Sequence, residues 1–203
     1  MSFSSVATWH SMFISSSILP LIVSLLQPLA VESASMAPTL LVGDKAVIAG
    51  YGAGATPARG DIIALTSPKS GTSAPFVKRV VGLPGERIQM RDGQLWINDK
   101  PVKHEKVQDF VGEGLCGVAS LAAVSQWRET LPNGVSYQTL DCIEHSALDE
   151  SAVHTVPAGT LFVVGDNRDN SVDSRMPARM GDVPFSSILG RLERVVPGPA
   201  RSK

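Results

Sequence analysis

"RIQMRDGQLWIN", residues 87–98, alternates apolar and polar side chains on both sides of Asp92-Gly93. An Asp-Gly pair favours the tight hairpin turn whose two central residues both take positive φ. The stretch therefore predicts two short antiparallel strands joined by a two-residue turn. Its neighbours read the same way. "KAVIAG" (45–50), "DIIALTS" (61–67) and "FVKRVVG" (76–82) are short Val- and Ile-rich runs bounded by Gly, Pro or Ser. "GTLFVVGD" (159–166) reads as a buried strand and "SSILGRLERVV" (186–196) as a final one. "LPNGVSYQTL" (131–140) predicts a second hairpin at Asn133-Gly134, while "EGLCGVASLAAVSQW" (113–127) fits a short helix or a strand. "YGAGATPARG" (51–60) has the composition of a flexible loop. The fold class is mostly β.

Composition narrows the options. Of the 203 residues, 43% are hydrophobic and 18% charged, which excludes a disordered chain. A net charge of −1 gives no bulk attraction to nucleic acid. Cys116 and Cys142 lack metal-ligand spacing, and a disulfide or two free thiols both remain open. The first 31 residues hold no Lys, Arg, Asp or Glu, and "MFISSSILPLIVSLLQPLAV" (12–31) is about long enough to cross a bilayer. Pro20 and Pro28 interrupt it. A cleaved secretory signal lacks its positive n-region here, and a core helix would be shorter, so a membrane anchor is the preferred reading. The first basic residue is Lys45, so charge does not place the N-terminus inside. The chain divides into an N-terminal segment with an anchor (1–31) and a β domain (32–203), with an insert at about 98–157 that is hard to read.

Three segments carry chemistry. Lys78 sits in "FVKRVVG", sharing a strand face with Phe76 and Val80 while Arg79 points the other way. If that face is the core, burial lowers the amine's pKa, and neutrality near pH 7 to 8 would require a downward shift of roughly 2 to 3 units. From this segment alone, a lysine blunting a solvent-exposed edge strand is the simpler account. Ser35 sits in "ESASMAPTLL" (32–41), just past the apolar stretch. A serine hydroxyl needs a base to become a nucleophile, and a neutral lysine can supply one. None of His10, His104, His145 and His154 lies in a triad-like segment, and no G-x-S-x-G elbow is present. "GDNRDNSVDSR" (165–175) is a solvated loop by composition, or a hydrogen-bond network that orients the lysine.

Taken together, "SASMAPTLLVGD", "FVKRVVGLPGE", "GDNRDNSVDSR" and "VPFSSILGR" (183–191) resemble, in order, the sequence boxes of bacterial type I signal peptidases, the membrane-anchored Ser-Lys leader peptidase family. The boxes cover about a third of the chain. The resemblance implies an all-β catalytic domain with an apolar surface resting on the membrane, with no metal or cofactor. It implies Ser35 as nucleophile and Lys78 as general base, then as acid for the leaving amine. Ser33 would add its hydroxyl to the Ser35 N–H in an oxyanion hole. Ser171 would hydrogen-bond the Lys78 amine. Asp173 and Arg175 would form a supporting ion pair with Arg79 nearby, and Met36 and Pro38 would shape the cleft. The implied substrates are signal-peptide-bearing preproteins cut after Ala-x-Ala-like sites. The implied partner is the lipid bilayer, not nucleic acid. The implied place is the bacterial inner membrane, single-pass, with the catalytic domain on the periplasmic or outer side.

The sequence departs from the family's pattern at Glu86, which stands where the second box has Asp, and at "MPARMGD" (176–182), which lacks an aromatic-glycine run. Many members have two anchors, and this chain has room for one. Rival readings are a specialised processing peptidase for a conjugation or pilus substrate, a cytoplasmic self-cleaving repressor, and a non-enzymatic anchored β domain.

Overall fold

The computed structural model describes residues 28–67, 69, 74–117 and 121–199. The expected anchor lies outside the described residues up to residue 27. Its end does not continue as a helix, because Leu29–Ala30 forms the first strand, β1. Among the described residues no helix is long and apolar enough to cross a membrane.

In chain order the next strands are β2 (Lys45–Ala49), β3 (Ile62–Leu65), β4 (Phe76–Gly82), β5 (Arg87–Arg91) and β6 (Gln94–Ile97). Then come β7 (Lys100–Pro101), β8 (Lys103–Lys106), β9 (Phe110–Glu113), β10 (Leu121–Thr130) and β11 (Ser136–Asp141). The last are β12 (His154–Thr155), β13 (Thr160–Val164), β14 (Val183–Pro184) and β15 (Ile188–Val196). The first sheet runs β1-β2-β15-β3-β4-β13-β14, the second β12-β5-β6-β7, and the third β11-β10-β8 with β9 on the other part of β10.

The hairpin at 87–98 forms as its pattern predicts. Asp92 and Gly93 take φ of 47° and 71°, and Arg91 pairs with Gln94 across the turn. The apolar positions of β5 and β6, Ile88, Met90, Leu95 and Ile97, are buried together with Val81 and Phe162. Of the stretch 113–127, which fits helix or strand in isolation, Glu113 ends β9 and residues 121–127 enter the long strand β10, because β9, β8 and β11 all pair with it. Long-range pairing overrides an undecided local pattern.

The position of β4 decides the fate of Lys78. β4 lies between β3 and β13 and pairs antiparallel with both, so it is not an edge. One face carries Lys78 and Val80, the latter packed with Ile63, Leu65, Leu161 and Val163. The other carries Arg79 and Val81. Lys78 is 2% exposed and Arg79 4%, so the solvent-facing edge-strand account fails. A strand with packing on both faces keeps most of a four-carbon stem out of water, and the Lys78 amine ends in the lining of a cleft.

Glu86 has a structural task. Its carboxylate accepts from the Leu83 N–H at 2.8 Å, closing the turn after β4, and pairs with Arg59. The insert at 98–157 is not a detached appendage, because its strand β11 hydrogen-bonds the segment after β13 through Leu140 N to Asp166 O and Arg168 N to Leu140 O.

Leu95 is wholly buried in the hairpin's core. Leu95→Ala is expected to cost about 2–5 kcal/mol of stability. Urea unfolding checks this, with the midpoint falling and the slope unchanged.

Candidate active site

Ser35 lies in a single 3-10 turn, Ala34–Met36, that Ser33 caps. The Ser33 hydroxyl accepts from the Ser35 N–H at 3.2 Å, as a short polar residue before a helical turn commonly does. Ala37 N and Leu40 N then donate back to Ala34 O and Met36 O. The chain thus folds over itself and buries Met36, Ala37 and Leu40, leaving Ser35 9% exposed. The segment 165–175 forms the inner wall. Asn167 N donates to the Ser35 carbonyl at 3.1 Å. Gly165 is required by close approach, since a Cβ there would lie 2.6 Å from Ser35 O and 2.3 Å from Ser171 Oγ.

Lys78 Nζ is 2.8 Å from Ser35 Oγ. Its other hydrogen-bond partner is the Val77 carbonyl at 3.0 Å. Burial pushes the amine down from its ordinary 10.5 to about 8, against the pull of the Asp173 and Asp166 carboxylates and with help from Arg175. Both carboxylates are engaged elsewhere. Arg175 grips Asp173 through Nε and Nη2 at 2.9 and 2.8 Å. Burial alone would raise the Asp173 carboxyl, but Arg175 holds it below the usual range. Arg79 forks onto Asp166 at 2.8 and 2.7 Å and also donates to Gly60 O. Neither carboxylate hydrogen-bonds Lys78 directly among the described contacts. Near neutrality a substantial minority of the molecules therefore carry an uncharged amine beside the hydroxyl.

The structure brings Ser33, Ser35, Lys78, Asp173 and Arg175 into one region and departs from the sequence reading at four points. The hydrogen bond from Ser171 to Lys78 is not made: Ser171 Oγ is buried against Gly165, where it helps hold the Asp173 carboxylate, and the lysine's second partner is the Val77 carbonyl. Ser33 and Ser35 both line the cleft, but the two expected oxyanion groups are bonded to one another, the Ser35 N–H donating to Ser33 Oγ. Pro38 does not shape the cleft. The turn after Met36 carries it to a separate depression of about 550 Å³ shared with Thr39, Arg79 and Tyr137. Arg79, expected only near the Asp173–Arg175 pair, belongs to its own pair with Asp166.

The cleft at Ser35 and Lys78 has a volume of about 630 Å³. Leu29, Ala30, Met36, Leu40, Phe76 and Val172 give it an apolar floor and walls, with Glu32, Asp169 and Arg179 at its lining.

Sequence reasoning missed a second buried layer. Arg168 donates to Glu129 Oε2 at 2.6 Å and to Gly165 O at 3.1 Å, and the Tyr137 hydroxyl donates to the same Glu129 oxygen. The Arg79 guanidinium lies 4.0 Å from the Tyr137 ring centre. Thr39 Oγ1 donates to Asp166 Oδ2 at 2.5 Å. The one available signal was the density of Asp, Asn and Arg directly after an apolar strand, which solvent alone does not explain. Glu129 and Tyr137 sit in the insert and gave none.

Of the three described histidines, His145 sits in a turn with φ 58° and does not line the cleft, and the other two have settings of their own. His104 stacks on Trp127 with centres 4.3 Å apart, and burial lowers its proton affinity. His154 pairs with Asp182 at 2.9 Å. Neither lines the cleft. Among the described residues no group of three or more His, Cys, Asp or Glu is placed to hold a metal ion.

Residues 6–196 match the family described as "Signal peptidase, peptidase S26". Proteins named signal peptidase I are similar along the sequence. That of Rickettsia typhi is 36% identical over 143 residues, covering 68% of this chain and 51% of that protein. That of Rickettsia akari is 29% identical over 212 residues, covering 91% and 76%. A crystal structure of a signal peptidase I from Enterococcus faecalis aligns at 32% identity and a TM-score of 0.39, covering 68% of this chain and 97% of that one. The chain spans about half the length of most of these curated relatives. It belongs to the signal peptidase family, peptidase S26.

The lowered Lys78 pKa has a stability consequence. Between about pH 8 and 10.5 the unfolded chain still holds a proton that the folded chain has released, so stability rises with pH through that window. Below it, burial of the amine costs about 3 kcal/mol. Lys78→Met orphans no carboxylate, since Asp166 and Asp173 keep their arginines. The variant is expected to be more stable than the parent at pH 7 by about 1–3 kcal/mol, after the loss of two hydrogen bonds. Thermal unfolding across pH checks this, with the gap closing above about pH 10.

Proposed function

We propose that this peptidase S26 member is a membrane-bound serine endopeptidase that removes N-terminal signal peptides from exported preproteins. The observation that carries the reading is the 2.8 Å contact between the Lys78 amine and the Ser35 hydroxyl, with both groups in an apolar, nearly closed setting. Neutral Lys78 takes the Ser35 proton as Oγ attacks the scissile carbonyl. The tetrahedral intermediate collapses, the C–N bond breaks, and the Lys78 ammonium returns its proton to the leaving amine. The same lysine then takes a proton from the water that attacks the ester on Ser35, and as the C–O bond to Ser35 breaks it returns that proton to Oγ, so the acid product leaves and the neutral amine and the hydroxyl are restored. The developing oxyanion is met by the Ser35 N–H and the Ser33 hydroxyl once substrate displaces the bond between them. Asp173, Arg175, Arg79 and Asp166 hold the surrounding frame. Ser171, on the Asp173 carboxylate, belongs to the same frame.

The apolar cleft with Ala30, Met36, Leu40 and Val172 in its lining suits small side chains such as those of an Ala-x-Ala site. The segment 12–31 would anchor the chain in the bilayer, and its last residues, which include β1, line the cleft. Enzyme and precursor then share one plane, which raises their effective concentration without any new contact. The disulfide Cys116–Cys142 fits a catalytic domain on the oxidising, outer side of the membrane.

Ser35→Ala and Lys78→Met are each expected to reduce cleavage of an Ala-x-Ala precursor in detergent by about 10⁴-fold or more. Ser33→Ala is expected to cost about 10²-fold to 10³-fold. Mass mapping of the products checks both, and full cleavage by either dyad variant would refute the mechanism. The acidic limb of kcat/KM is expected at an apparent pKa near 8, because the free enzyme must lose the Lys78 proton to act.

A further inference from the structure

The two cysteines take no part in this chemistry, yet both halves of their bridge meet the wall of the site. The disulfide Cys116–Cys142 joins the loop after β9 to the end of β11. The residue before Cys116 supplies a shared acceptor. Leu115 O receives the side-chain amides of Asn167, at 2.5 Å, and Asn170, at 2.9 Å. Asn167 in turn donates its backbone N–H to the Ser35 carbonyl at 3.1 Å. On the other half of the bridge, Cys142 N and Ile143 N both donate to Asp169 Oδ2, at 2.8 and 2.9 Å. The segment 167–170 is thus held from both half-cystines. The bridge packs with Leu115, Leu140 and Ala37, two residues past the nucleophile.

We propose that the Cys116–Cys142 disulfide is a positioning element for Ser35, and that its reduction lowers turnover reversibly. The inference rests on the peptidase reading above. With the bridge closed, the Leu115 carbonyl is fixed relative to β11, and Asn167 is fixed relative to Leu115. The Ser35 carbonyl, and with it the turn that aims Oγ at Lys78, is therefore fixed at its outer side. With the bridge open, the loop bearing Leu115 keeps its hydrogen bonds to Asn167 and Asn170 and the pairing of β9 with β10, but loses its one covalent tie to the end of β11. Both cysteines are half-buried, so a small dithiol reaches them. A dithiol gives two electrons and two protons, the S–S bond becomes two thiols, and the dithiol closes to a cyclic disulfide. Displacement of a reacting atom by a fraction of an ångström acts on the chemical step rather than on substrate binding.

The test uses the full chain in detergent, before and after dithiol treatment, with the two thiols counted. Two quantities are read: kcat and KM on an Ala-x-Ala precursor peptide, and hydrogen exchange at the Asn167 amide. Reduction is expected to lower kcat about 10-fold to 100-fold with KM changed less than about twofold, and reoxidation to restore it. Exchange at Asn167 is expected to quicken while amides of β5 and β6 keep their protection. Cys116→Ser/Cys142→Ser is expected to show the low kcat without any response to dithiol. Should that variant fail to fold, Asn170→Ala in the oxidised protein is expected to lower kcat in the same direction. Unchanged kcat and unchanged Asn167 exchange after complete reduction would overturn the proposal, and so would a loss of protection spread evenly over all sheets. An oxidised chain that cleaves no precursor but still shows the exchange response would instead refute the peptidase reading and leave the coupling standing.

Discussion

A lysine amine buried without a carboxylate of its own is the constraint on which the rest of this structure depends. Such a group is stable only as a neutral amine or at a cost in folding free energy. Two carboxylates stand close enough to pull a proton onto it, Asp173 and Asp166. Each is held in a two-point grip by an arginine, Arg175 and Arg79. The ion pairs are therefore more than supports. By occupying the carboxylates they leave the Ser35 hydroxyl and one backbone carbonyl as the lysine's hydrogen-bond partners. A base of ordinary lysine basicity would be protonated and idle near neutral pH, whereas one near 8 is partly free.

The loop 165–175 makes that arrangement geometrically possible. Gly165 lets two backbones approach more closely than any side chain would allow. Asn167 then ties the loop to the nucleophile's carbonyl, Asp173 accepts from Gly165 N, and Arg175 reaches back to the Arg168 carbonyl. Behind this wall, Arg168, Glu129 and Tyr137 form a buried polar layer between the loop and β10 and β11. Breaking a buried pair of this kind by removing one partner is far more costly than its net worth, because the other charge is left desolvated. The layer thus locks the loop in one position.

The β character, the hairpin at Asp92-Gly93 and most strand positions were legible in the sequence, because period-two alternation and turn residues are local signals. The burial of Lys78 was not, since it depends on β3 and β13 flanking β4, and those pairings join residues far apart in the chain. The candidate site was legible in its types of residue and not in its contacts. Ser35 and Lys78 meet as the boxes imply, whereas Ser171 makes no bond to the lysine and Pro38 faces another depression. The insert at 98–157 was the least readable region, yet it supplies Leu115, Glu129, Tyr137 and Leu140 to the back of the site. Their roles come from where distant strands place them, and no local pattern marks a glutamate in a long strand as the partner of an arginine 39 positions away.

Direct titration of the Lys78 amine by NMR, in the full chain labelled at lysine Cε and Nζ and assigned with Lys78→Met, tests the central claim most closely. A midpoint near 8 is the predicted result. A midpoint near 10.5, the value of a lysine in water, would mean that the amine is charged at working pH and would contradict the account.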